Sequence, residues 1–219
     1  MYDNDINVNK GSENKYSLPP GWRWVKSGEE CEFRHGGTPT KSNPSFWNGT
    51  IPWISPKDMK VRRLTDSKDH ITREAINKSA AGTAPANSIL VVIRSGILAR
   101  HLPVAIVGCD LAFNQDIKAV VPNIEILDPH FLLFLLENKE AHILSDGIKK
   151  GATVHSFKSG YIENLQFPLP PLADQKRIAA ILNEQMAAAE ELRASLEAKL
   201  NEINSLPQAL YRRAFSGEI

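Results

Sequence analysis

The sequence predicts an α+β chain: a mixed α/β domain followed by a long C-terminal coiled-coil helix. Three observations lead there. Residues 17–167 read as mixed α and β, with short β-rich runs separated by Gly, Pro and Asn. A proline-rich connector, Phe167-Pro168-Leu169-Pro170-Pro171-Leu172, follows. Residues 173–204 then run without Pro or Gly and are rich in Ala, Leu, Glu, Lys, Gln and Arg, the strongest helix formers.

Residues 1–16 read as a flexible polar tail, because Asp3 and Asp5 stand where a secretion signal carries positive charge and no apolar stretch follows. A cytoplasmic location is expected, and no window is apolar enough for a membrane span. Within residues 17–167, the segments 88–94 (SILVVIR), 103–107 (PVAIV) and 117–121 (IKAVV) read as strands. Residues 129–141 fit one amphipathic helix, opened by Asp128 as N-cap and Pro129 in the first turn. In the connector, residues 168–172, three prolines hold φ near −65° and exclude both helix and central strand.

The C-terminal segment, residues 173–219, carries the longest-range pattern. Leu182, Ala189, Leu196, Ile203 and Leu210 recur every seven residues, with Ile178, Leu192 and Leu206 at a second offset that Gln185 and Lys199 interrupt. At 1.5 Å per residue, residues 173–204 reach about 48 Å, whereas a domain of this size has a radius of gyration of about 15 Å. The apolar stripe therefore outruns its own domain and needs a partner, and an antiparallel homodimer through the helices is expected. Ser205-Leu206-Pro207 reads as a break and restart, with Ser205 capping a short terminal helix that stops at Gly217.

Charge and motifs narrow the function. With 26 Lys+Arg against 25 Asp+Glu, the net charge of +1 excludes a uniformly basic DNA-coating protein. The charges are nonetheless unevenly placed, +3 over residues 17–172 and −2 over residues 173–204. No Gly-x-Ser-x-Gly elbow, Walker loop, dinucleotide fingerprint or His-Glu-x-x-His helix occurs, and Cys31 and Cys109 lack the spacing of a zinc site. Asp128 with Glu137-Asn138-Lys139 imitates a nuclease metal site, but a cap and a polar helix face account for it. No catalytic residue, metal or cofactor is expected.

Binding signals are clearer. Lys57, Lys60, Arg62, Arg63 and Lys68 form one basic stretch, and Lys149, Lys150 and Lys158 form another in a Gly/Ser-rich loop. Both suit phosphate contacts, although a solvated face looks the same in sequence. Arg94-Ser95-Gly96 and Asn114-Gln115-Asp116 offer side chains that read base edges, Arg to guanine and Asn or Gln to adenine. A polar turn entering the next strand accounts for Asn114-Gln115 equally well. Trp22, Trp24, Trp47 and Trp53 read as core aromatics before base-stacking platforms.

Taken in order, these segments resemble a known family. They are Leu18-Pro19-Pro20-Gly21-Trp22-Arg23-Trp24, Gly36-Gly37-Thr38-Pro39, Trp47-Asn48-Gly49-Thr50-Ile51-Pro52-Trp53-Ile54, Arg94-Ser95-Gly96-Ile97-Leu98, Phe113-Asn114-Gln115-Asp116-Ile117-Lys118, Pro168-Leu169-Pro170-Pro171-Leu172-Ala173-Asp174-Gln175-Lys176-Arg177-Ile178 and Arg213-Ala214-Phe215-Ser216-Gly217-Glu218-Ile219. The chain is similar to one half of the DNA-specificity subunit of type I restriction-modification systems.

The resemblance implies a target-recognition domain that grips half of a split site in double-stranded DNA, and a helix that spaces it from a second such domain. It implies a non-catalytic subunit bound by a methyltransferase subunit and, in the full assembly, a restriction subunit. Family members hold two domains and two antiparallel helices; this chain has one of each, which the expected homodimer makes good. The half-site centres are then expected one to one and a half DNA turns apart, at ~34 Å per turn. The expected DNA contacts are Thr38, Lys57, Lys60, Arg62, Arg63, Arg94, Ser95, Asn114, Gln115, Lys149, Lys150 and Lys158. The expected helix interface is Ile178, Leu182, Ala189, Leu192, Leu196, Ile203, Leu206 and Leu210. An alternative is a protein-interaction module that pairs with another specificity subunit or a methyltransferase without strong DNA binding of its own.

Overall fold

The structure is a computed structural model that describes residues 17–218, so the expected tail of residues 1–16 lies outside the described residues. The three apolar segments become neighbouring strands of a five-stranded sheet. Its order is Cys31–His35, Ile117–Pro122, Ile89–Val92, Val104–Val107 and Arg63–Leu64. All four residues of Ile89–Val92 are buried, as a strand covered on both faces requires. Alternation divides them between two cores. Ile89 and Val91 pack with Leu132, Leu136 and Phe167, while Leu90 and Val92 pack with Ile54, Leu111 and Phe113 of a second sheet.

That second sheet has the order His70–Ile71, Trp47–Ile54, Leu111–Phe113 and Gly82–Ala84. A three-stranded sheet of Ile148–Lys149, His155–Phe157 and Arg94–Ser95 extends from the end of the central one. Arg23–Lys26 pairs antiparallel with Gln166–Leu169, which brings the start of the described chain beside the connector.

Asp128 caps its helix as expected, its Oδ1 accepting from Phe131 N at 2.9 Å. The expected single helix over residues 129–141 is instead two, Pro129–Asn138 and Glu140–Asp146, broken at Lys139 with φ −86° and ψ 3°. The break re-aims Glu140, whose carboxylate accepts from Leu102 N at 2.8 Å and contacts His101 Nδ1 at 2.7 Å.

The C-terminal helix runs Leu172–Phe215, 44 residues, with Pro207 inside it. The expected break at residues 205–207 and the separate short terminal helix are therefore corrected. Ser205 does not cap; its hydroxyl donates back to Glu202 O at 2.7 Å. Proline removes the amide that would bond the carbonyl four residues earlier, and water can solvate that carbonyl because every residue around it is exposed. The uninterrupted rod is about 66 Å long rather than ~48 Å.

Only the first turns of the rod pack on the domain. Ala179 and Ile178 join the core that holds the Pro129–Asn138 helix, and Leu182 is half-buried. From residue 183 to residue 218 all are exposed, including Leu192, Leu196, Ile203, Leu206 and Leu210. Among the described residues, no helix is long and apolar enough to cross a membrane.

Candidate nucleic-acid interface

The central sheet brings several chemistry-bearing residues to one end. Lys118 lies opposite His35, and Ile117 opposite Val92, so the chain leaves that end as Gly36 on one side and as Ile93-Arg94 on the other. The turn of residues 114–116 that enters the Ile117 strand stands between them. Asn114 Oδ1 accepts from Asp116 N at 3.0 Å, and the amides of Ile93 and Arg94 donate to Asp116 O at 2.8 and 3.2 Å. The turn is thereby tied to the backbone that carries Arg94.

A cleft of about 480 Å³ opens at this end, lined by His35, Arg94, Gln115, Lys118, Ser156, Lys158 and Glu163 among others. Arg94, Gln115 and Lys158, expected as DNA contacts from separate stretches of sequence, are brought together here by the fold. Arg94 Nε donates to Asp116 Oδ1 at 2.6 Å, which holds the guanidinium at the rim while leaving it more than half exposed. In the three-stranded sheet Arg94 lies opposite Ser156, and Ser156 opposite Lys149. Directly opposed residues share a face, so Arg94, Ser156 and Lys149 form one row. Lys158 donates to the carbonyl of Asp146, a contact that does not neutralise its charge. Lys150 is exposed, and Ser95 Oγ accepts from Ile97 N at 3.4 Å at the start of the Gly96–Ala99 turn.

Sequence reasoning missed His35, Lys118 and Glu163. The signal was a lysine inside the apolar run IKAVV, which a buried strand tolerates only with a partner. That partner is Glu163, which accepts from Lys118 Nζ. Burial alone would raise the Glu163 carboxyl, but the Lys118 hydrogen bond, a backbone hydrogen bond and the charges of Lys118 and His35 hold it below its ordinary value.

Thr38 meets the rim of the cleft from a loop. Thr38 Oγ1 donates to Gln115 Oε1 at 2.8 Å, while Gly37 N donates to Phe113 O at 2.9 Å. A Cβ on Gly37 would lie 2.1 Å from Ala80 O, and one on Gly36 2.3 Å from Asn114 O, so these glycines permit close backbone packing. Asn114 is buried and also faces Asp116 Oδ2 at 3.4 Å, so its amide shapes the turn instead of projecting from it.

The first basic stretch is divided by the fold. Lys57 lines a second cleft, of about 380 Å³, with Lys41, Trp47, Trp53, Ser55 and Asp69, and donates to Asp69 at 2.7 Å. Trp47 and Trp53 meet edge to face at 5.4 Å, and Trp53 Nε1 donates to Gly37 O at 3.1 Å. The Gly37-Thr38 segment thus stands between the two clefts. Arg62 is elsewhere: it makes a bidentate pair with Glu137 at 2.8 and 2.7 Å and stacks over Phe134 at 4.6 Å. Lys60 and Arg63 are exposed near it, on the far side of the sheet order from His35. Cys31 offers no nucleophile, since burial and the charge of Glu30 push its thiol up to about 12.

Comparison with known proteins agrees with this architecture. Residues 19–202 match the family described as Type I restriction modification DNA specificity domain. The chain is 40% identical over 162 residues to the EcoR124I/EcoR124II specificity subunit of Escherichia coli, covering 74% of this chain and 40% of that one. It is 26% identical over 169 residues to the MjaIX specificity subunit of Methanocaldococcus jannaschii, covering 76% and 38% respectively.

Among solved structures, a chain from the complex assembly of a type I R-M system matches with a TM-score of 0.73 and 25% identity, over 95% of this chain and 49% of that one. The HsdS subunit from Thermoanaerobacter tengcongensis shares the fold, with a TM-score of 0.65 and 24% identity over 95% and 48%. The chain thus spans about half the length of its relatives or less. On the match across residues 19–202, the chain belongs to the type I restriction-modification DNA specificity family, whose members are non-catalytic specificity subunits.

Proposed function

We propose that the chain is a sequence-specific DNA-recognition subunit of a type I restriction-modification system in the cytoplasm. It directs a methyltransferase subunit, and a restriction subunit where one is present, to a bipartite site. The observation that carries this reading is the convergence of Arg94, Gln115 and Lys158 on one cleft. In this reading Arg94 and Gln115 read base edges, with Thr38 orienting Gln115, and Asn114 shapes the turn that presents them. Lys149 and Lys158 grip phosphates on the face of Arg94, Lys150 reaches phosphate from the adjoining loop, and Lys57, Lys60 and Arg63 give weaker, outlying contacts. Arg62, engaged by Glu137, serves the fold, and Ser95 caps a turn.

The domains are a recognition domain over residues 17–167, a connector over residues 168–172, whose ends belong to the Gln166–Leu169 strand and the Leu172–Phe215 helix, and a spacer helix beyond. Two copies pair antiparallel through Ala189, Leu192, Leu196, Ile203, Leu206 and Leu210, whereas Ile178 and Leu182, expected in the same seam, pack against their own domain at the root of the rod. The exposed stripe supports this pairing, since an unpartnered rod leaves a long apolar face in water. The site is then palindromic with an unread centre. A rod of about 66 Å caps the separation of the half-sites at about two turns of DNA.

The same stripe also suits the second reading, in which the chain pairs with a longer specificity subunit or a methyltransferase and has little DNA affinity of its own. Duplex binding measured with and without the methyltransferase subunit separates the two. One preferred site with steep salt dependence supports DNA recognition. No specific complex under either condition overturns it.

A further inference from the structure

We infer that Gln175 is the positioning residue that fixes the angle at which the long helix leaves the domain, and thereby the spacing between half-sites. The inference rests on the proposed DNA-reading role. Gln175 is fully buried one turn into the helix. Its Nε2 donates to Ile126 O and to Pro170 O, each at 2.8 Å, and its Oε1 accepts from Asp128 N at 2.8 Å. Both amide hydrogens are used, and all three bonds go to backbone. One side chain thus ties the helix to the connector before it and to the loop that opens the Pro129–Asn138 helix.

The other contacts at this root, from Ile178, Ala179 and half-buried Leu182, are apolar. Such packing sets a crossing angle only to within about 15–20°, and the three directional bonds of Gln175 narrow it. Tilt matters because the rod is a lever. Over about 66 Å, a tilt of about 10° moves the far end by about 11 Å, about a third of a DNA turn.

The test compares the full chain with Gln175→Met, which keeps length and apolar contact and removes the three bonds. Spin labels at Asn77→Cys and Glu191→Cys, with Cys31 and Cys109 changed to Ser and the labelled chain diluted in unlabelled chain, report the angle without DNA. The distance distribution is expected to broaden at least twofold in Gln175→Met, and an unchanged width overturns the inference. On duplexes whose half-site spacing is altered by one base pair, the unsubstituted chain is expected to lose roughly tenfold in affinity and Gln175→Met clearly less, with single half-site affinity equal in both. Equal spacing selectivity overturns the inference. If the unsubstituted chain shows no half-site binding, the DNA-reading role fails and the label distances still decide the joint. Hydrogen exchange on the unsubstituted chain guards against a variant that melts: the Asp128 amide is expected to exchange as slowly as the central strands, and exchange at the rate of an open loop overturns the inference.

Discussion

Thr38 and Gln115, 77 residues apart in the chain, share a hydrogen bond of 2.8 Å in which the threonine hydroxyl donates to the glutamine Oε1. The bond orients the Gln115 amide at the rim of the cleft and leaves its two N–H donors and one lone pair available. That is the donor and acceptor pair with which a glutamine engages adenine.

Gln115→Ala is expected to relax discrimination at one base position by about 1–3 kcal/mol, with other positions unchanged. Thr38→Val, which frees the amide to rotate, affects the same position less. Competition binding with duplexes substituted one base pair at a time checks both.

Lys149→Ala and Lys158→Ala are each expected to reduce the slope of log affinity against log salt by about 0.9 and to weaken binding on all sequences alike. Arg62→Ala is expected to leave that slope unchanged. Because Arg62 and Glu137 are 39% and 30% exposed, its loss costs about 1 kcal/mol of stability after solvent screening, read as a lower denaturant midpoint.

Glu163 gives a pH-dependent term. Its carboxyl lies below its ordinary value of 4.5 when folded, so the unfolded chain takes up the proton first on acidification. The stabilisation is complete above about pH 4.5 and declines as pH falls through the folded value. Glu163→Gln is expected to lower stability by about 1–2 kcal/mol at neutral pH, because Lys118 loses its carboxylate, and to flatten the acid limb of the stability profile. Urea titrations across the acid range check this.

Leu192 and Leu196 are 62% and 57% exposed in the single chain. Leu192→Asp with Leu196→Asp is therefore expected to convert the proposed antiparallel dimer to monomer at micromolar concentration while the melting of the domain stays unchanged. Sedimentation and calorimetry read the two effects separately.

The strands at Ile89–Val92, Val104–Val107 and Ile117–Pro122 were legible because short runs rich in Val and Ile and bounded by Pro, Gly and Asn have few alternatives. The Asp128 cap was legible for a similarly local reason. The break at Lys139 was not, since it follows from Glu140 reaching Leu102, 38 residues away. Pro207 misled because local propensity forbids what a solvated helix tolerates. At the candidate site the residue types were legible and their grouping was not. Nothing local separates Arg62, taken by Glu137, from Arg94, held at the rim of the cleft by Asp116.

The most direct test of the DNA-reading dimer is selection of duplexes from a random library by the purified chain, followed by sequencing of the bound fraction. Two inverted copies of one short motif at a single fixed separation are predicted. A lone motif, copies in direct repeat, or no enrichment at all would contradict the account.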